Sequence, residues 1–265
     1  MHVPLYILAL VAYSAAAALR IARWGNRSWV PRAAWVSAVV GVLAHLGAIS
    51  SLAVVAGGLP ISGPGDSVAL IAGGIGIGTL LVRPKERGEV LSGVLSSLAA
   101  VMLGVALLLP SQAVEPNAGL AQVFFPLHAL ATFVGLSCFA LAFGVSVMFL
   151  VVRRRLKAKQ LSGLGGLPSM EALDTLNTQT VAVGFLSLTL GIAAGGAWAA
   201  SVGSTGLGAV VWITLVLWGW YAVAVLVRVV GGWRGKLSAQ LSVMGFVGML
   251  ISLGAIVGIT QGWHP

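Results

Sequence analysis

The sequence predicts an all-α, polytopic membrane helix bundle of about eight transmembrane helices, with both termini on the outer, periplasmic side. Three observations carry that class. Of 265 residues, 58% are hydrophobic and only 8% are charged, where a soluble domain carries about 25% charged residues. With so few charges nearly every large surface is apolar, which excludes a soluble enzyme, a nucleic-acid binder and a disordered chain. Apolar runs long enough to cross a bilayer alternate with short polar breaks. Finally, all 15 Lys and Arg residues fall in alternate breaks. Arg20, Arg23, Arg27 and Arg32 lie in the first; Arg83, Lys85 and Arg87 in the third. The run from Arg153 to Lys159 lies in the fifth, and Arg228, Arg234 and Lys236 in the seventh. Basic loops stay in the cytoplasm, so these four breaks face inward.

Element by element, the spans read as 3–19, 34–56, 67–82, 90–109, 123–152, 180–200, 207–227 and 237–260. Segment 3–19 has the length of a signal peptide, but its positive charge follows the apolar run instead of preceding it; it reads as a retained helix. Segment 67–82 is short and glycine-rich. Segment 123–152 is long and must tilt or protrude. The break at 153–179 begins with basic residues suited to anionic headgroups. Residues 161–166 read as a flexible turn. From Ser169, a plausible N-cap, a short helix is expected, with Met170, Leu173 and Leu176 on one face, lying on the membrane. No loop exceeds this one, so residues 1–265 read as a single integral membrane domain with a cytoplasmic loop and short interfacial helix at 153–179.

The chemistry-bearing residues are few. Cys138 is the single cysteine, so the chain forms no internal disulfide; it has no CxxCH for covalent haem and no Cys/His spacing for zinc. The six acidic residues fall in loops or at span edges, which argues against an ion-coupled transporter and against paired-carboxylate hydrolysis. The GGIGIG run at 73–78 has neither the preceding strand nor the following acidic residue of a nucleotide-binding loop. It reads as a helix-packing face, as do Gly191/Gly195 and Gly254/Gly258. Trp24, Trp29, Trp35 and Trp233 suit the inner interface and Trp198 and Trp263 the outer one, while Trp212, Trp218 and Trp220 fill volume along span seven. The histidines are more informative. His45 lies near mid-membrane in span two, His128 just below the outer end of span five, His264 beyond span eight, and His2 at the outer N-terminus. An intramembrane ionisable side chain is a functional candidate, and neutral imidazole is a normal axial ligand of haem iron. His128 and His264 approach one outer face from different helices.

Three stretches resemble a known family. FFPLHALATF at 124–133 is similar to the CcsA/ResC-type cytochrome c assembly family, whose pattern is close to LHVxxxxxxYxxF. LPSMEALDTLN at 167–177 resembles its PSLEALDxLN, and VRVVGGWRG at 227–235 resembles its xRxxxGWRG. The N-terminal LAHLGAIS and GGLP look like the HemX/YpjD-like subgroup. The resemblance implies a bacterial inner (plasma) membrane protein of cytochrome c maturation and haem handling, an assembly factor rather than a turnover enzyme. It implies haem b as cofactor and, as partners beside the lipid bilayer, other cytochrome c assembly or cytochrome complex subunits, with no nucleic acid. On this reading His128 and His264 are the axial ligands of the haem iron, and His45 matches the subgroup's histidine in the second span.

Two departures stand out. The family's membrane histidine two residues before the Arg of xRxxxGWRG is Leu226 here, and the tryptophan-rich WGxxWxWDPK signature after Trp198 is replaced by AASVGSTGLGAVV. A haem-free membrane scaffold or regulatory subunit of the same pathway is the competing expectation.

Overall fold

The computed structural model describes residues 2–21, 28–56, 63–82, 88–109, 121–160, 167–201, 203 and 208–260. Among them it has eight helices long and apolar enough to cross a membrane and no strand. They are α1 (His2–Ile21), α2 (Val30–Ala56), α3 (Pro64–Leu81), α4 (Glu89–Leu108), α5 (Ala121–Lys157), α6 (Met170–Ser201), α7 (Ala209–Val229) and α8 (Lys236–Thr260). Each coincides with one expected span.

The inner-loop expectation needs correcting at both ends. The basic run 153–157 continues α5, because Arg and Lys are good helix formers and their charge suits a helix C-terminus. At 37 residues and about 1.5 Å per residue, α5 is about 55 Å long, beyond the ~30 Å hydrocarbon core. Ser169 does cap a helix, its Oγ accepting from the Ala172 N–H at 3.1 Å. That helix is not a separate interfacial one: it runs unbroken from Met170 to Ser201, with nothing between 170 and 201 to stop it. The turn expected at 161–166 lies outside the described residues.

The chain forms two compact units. The first comprises residues 1–115 with Val147–Leu173, the second Pro116–Ser146 with Asp174–Pro265.

In the first unit α1 packs on α2 and α4, and α3 on α2 and α4. Ile71, Ile75, Leu91, Leu95 and Leu103 form its fully buried apolar centre. Arg20, expected in a loop, is instead buried at the end of α1. Its Nη1 donates to Ser96 Oγ at 3.1 Å, and Ser96 Oγ donates to the Ser92 carbonyl at 2.8 Å; a buried guanidinium persists only with such partners. The GGIGIG face does serve packing. A methyl group at Gly76 would collide with the Tyr13 hydroxyl, and one at Gly41 would stand 2.7 Å from the Tyr13 ring.

In the second unit glycines again set the spacing. A methyl group at Gly135 of α5 would stand 3.0 Å from the Gly184 carbonyl of α6, and one at Gly184 would stand 2.6 Å from the Phe139 ring. The ring of Phe139 stacks on Tyr221 of α7 at 3.4 Å, and Phe143 on Phe246 of α8 at 4.3 Å. Two of the tryptophans expected only to fill volume also tie helices together. Trp218 Nε1 donates to Thr189 Oγ1 at 2.9 Å and Trp220 Nε1 to the Leu241 carbonyl at 3.1 Å. Gly254 and Gly258 depart from their expected packing role: among the described residues an added methyl group there would meet no neighbour.

Candidate functional site

His128 sits seven residues after the first residue of α5, about 10 Å along the helix axis. Pro126 lies inside the same helix, where it removes one i→i−4 backbone bond. Across from it α6 presents Gly191 and Gly195. A methyl group at Gly195 would stand 2.6 Å from His128 Nδ1, so only glycine lets the imidazole lie against the α6 backbone. The contact is a hydrogen bond, His128 Nδ1 to the Gly191 carbonyl at 2.7 Å. A carbonyl can only accept, so Nδ1 carries the proton and the neutral ring keeps its lone pair on Nε2.

That is the tautomer an axial ligand needs. Metal-binding histidines usually donate their second ring N–H to a carbonyl or carboxylate, which fixes ring orientation and strengthens the ligating nitrogen. The ring is half-buried and stacks on Trp198 of α6 at 6.4 Å with 20° between planes. Trp198 in turn contacts Phe125 at 5.1 Å. Trp198, expected only as an interface anchor, thus also braces the histidine. Together with Gly191 and Gly195 it is a site residue that sequence spacing did not identify; the four-residue glycine interval was visible, but not which ring it received.

The other candidates separate. His264 lies outside the described residues. His45, on α2, is fully buried in the first unit. Its Nδ1 is 3.4 Å from the Tyr13 hydroxyl, and the Tyr6 ring meets it edge-on at 5.4 Å. Leu226, at the expected membrane-histidine position, is 59% exposed on α7. Among the described residues no group of three or more His, Cys, Asp or Glu side chains could hold a metal ion.

The family-like motifs around Asp174 and Arg228 converge on one polar cluster. Arg228 grips Asp174 through two bonds, at 2.8 and 3.0 Å, and also donates to Ser238 Oγ at 3.2 Å. The Gly235 N–H donates to the same carboxylate at 2.9 Å. Asn177, 2% exposed, donates to Ser238 Oγ at 3.1 Å and accepts from Ser146 at 3.0 Å and Ser242 at 2.9 Å. One cluster thereby ties α5, α6, α7, the α7–α8 turn and α8. The bidentate geometry is the strongest form of such a pair, and nearly every polar atom in the cluster is used, as a buried network requires. The motif residues Asp174, Asn177 and Arg228 therefore hold helices together at the opposite end of α6 from His128.

An eight-helix membrane chain with this ligand-ready histidine and these motifs defines a class, a membrane protein of cytochrome c assembly. Residues 62–264 match the family described as Cytochrome C assembly protein, and the chain belongs to that family. It is similar to the cytochrome c biogenesis protein CcsA of Prochlorococcus marinus strain MIT 9301, 25% identical over 79% of this chain and 76% of the relative. The CcsA of Prochlorococcus marinus subsp. pastoris is 25% identical over 80% of this chain and 76% of the relative. The CcsA of Gloeobacter violaceus is 31% identical over a shorter stretch, 36% of this chain and 28% of the relative. The family match takes in His128 and His264 and begins after His45.

Proposed function

We propose that this protein binds haem b for cytochrome c assembly in the bacterial inner membrane, with both termini on the outer side and His128 as one axial ligand. The observation that carries this reading is the hydrogen bond from His128 Nδ1 to the Gly191 carbonyl, which leaves Nε2 as an unprotonated donor. Family membership and the curated relatives' name support the pathway. His264, inside the family match, is the proposed second ligand. The N-terminal LAHLGAIS segment supports a HemX/YpjD-like reading, and the replacement of the tryptophan-rich signature supports holding haem rather than presenting it. Its partners are other cytochrome c assembly or cytochrome complex subunits.

The chain's own groups do the following. Gly191 fixes the tautomer of His128, Gly195 admits the ring, Trp198 and Phe125 brace it, and the bilayer-embedded helices exclude water from its inner side. Bound haem supplies an iron that accepts two imidazoles and changes oxidation state, at a potential set by ligands and burial. The test is the optical spectrum of the purified full chain. Wild type should give a Soret band with sharp low-spin reduced bands. His128→Ala or His264→Ala should leave one axial ligand and shift the spectrum toward high spin. An unaltered spectrum in both variants removes the assignment, and a wild-type protein without a Soret band removes the haem reading.

A further inference from the structure

His45 is fully buried in the first unit, and both of its ring nitrogens are enclosed. Nδ1 meets the Tyr13 hydroxyl at 3.4 Å. Nε2 faces Gly73 of α3, where an added methyl carbon would stand 3.5 Å from the nitrogen, in ordinary van der Waals contact. Nε2 is itself a buried atom, with α3 packed across it. The Ala69 carbonyl, one turn before Gly73, acts electrostatically on the ring, although Nε2 makes no hydrogen bond of normal geometry among the described residues. Tyr6 closes the ring edge-on at 5.4 Å, and Tyr13 lies tilted to it at 6.0 Å. Tyr13 itself is fully buried, seated against Gly41 of α2 and Gly76 of α3.

A haem iron requires the opposite arrangement, a ligating nitrogen that opens onto a slot as wide as a porphyrin. The residues around His45 do not fit that group. We infer that His45 is not a haem ligand but the centre of a Tyr6–His45–Tyr13 lock that joins α1, α2 and α3, and that the described helices hold one haem-ligating histidine, His128. This inference rests on the proposed function for its haem count alone; the lock stands on packing. It also gives the GGIGIG run its role, since Gly73 receives the His45 ring and Gly76 the Tyr13 hydroxyl.

The experiment uses the purified full chain and reads two quantities, haem per chain by pyridine haemochrome and the thermal unfolding midpoint. His45→Ala and Tyr13→Phe should lower the midpoint, by on the order of 5 °C for the alanine, with haem content and optical spectrum as in wild type. His45→Gln, which can still hydrogen-bond Tyr13, should recover most of the midpoint and keep the spectrum. A His45→Gln protein with the wild-type midpoint but less haem, or with altered bands, overturns the inference. If the wild type carries no haem, the proposed function fails and the lock is judged by the midpoints. A fall in both His45→Ala and Tyr13→Phe upholds it, and unchanged midpoints in both overturn it.

Discussion

The two units each bury a histidine against glycines of the next helix, and the two outcomes are opposite. In α2 the ring of His45 presents Nε2 to Gly73 and Nδ1 to Tyr13. In α5 the ring of His128 presents Nδ1 to α6, bonded to Gly191, and keeps Nε2 for something else. Both residues satisfy the rule that an ionisable group within the membrane marks a functional candidate. That rule does not separate them. Enclosure does: both rings bond through Nδ1, but the His45 Nε2 is buried against α3, where a ligating nitrogen needs an open side.

The comparison can be broken at the end of the second unit remote from His128. Asp174→Ala leaves the half-buried Arg228 guanidinium without its carboxylate and should cost about 3 kcal/mol of stability, read as a lower thermal midpoint. Asp174 is 17 residues from Gly191 on α6, about 25 Å along the axis. The Soret band of the folded fraction should therefore be unchanged; a shifted band would tie the Asp174–Arg228 cluster to the proposed haem site.

A smaller and more local effect is expected at Gly195. Its alanine variant places a methyl group 2.6 Å from His128 Nδ1, so the ring must move and its bond to Gly191 must lengthen. The overpacking should cost about 1–3 kcal/mol, and the spectrum should shift toward that of His128→Ala. A protein indistinguishable from wild type would show that the α5–α6 approach does not position the ring.

The matching change in the first unit should do almost nothing. At Gly73 an alanine methyl finds ordinary contact distances of 3.5 and 3.6 Å to the His45 ring. Its effect should stay within about 1 kcal/mol and can favour the helix, since alanine is the better helix former. Gly258→Ala, with no neighbour near the added atom, should be equally mild. A large loss at Gly73 would mean that His45 needs free space beside Nε2, as a ligand would.

Much of this architecture was legible in the sequence. Apolar runs and the segregation of basic residues gave eight helices, because a bilayer forces every backbone polar group into internal hydrogen bonds and every charge toward the rim. Helix ends were less legible: the α5 basic run and the start of α6 were read as loop, since charge marks where a span leaves the hydrocarbon and not where a helix stops. The histidine at 128 and the motifs around Asp174, Asn177 and Arg228 were also visible, as was the Ser169 cap. Their division of labour was not. The EALDTLN and GWRG segments are the most recognisable in the chain, yet Asp174 and Asn177 of the first and the Gly235 N–H of the second tie helices to one another.

Composition and charge order thus determined by themselves that this chain is a multi-pass membrane protein, for a physical reason that needs no partner contact: transfer of apolar surface and the exclusion of charge act on each segment separately. Tertiary structure alone decided the fate of each polar side chain. Periodicity assigns a residue to a helix face, but a hydrogen bond depends on which atom of another helix arrives within about 3 Å of it. Gly191 and Gly195 brought a carbonyl to His128 Nδ1, Gly73 and Gly76 let His45 and Tyr13 close on α3, and Gly254 and Gly258, identical in spacing to the first pair, receive no side chain among the described residues.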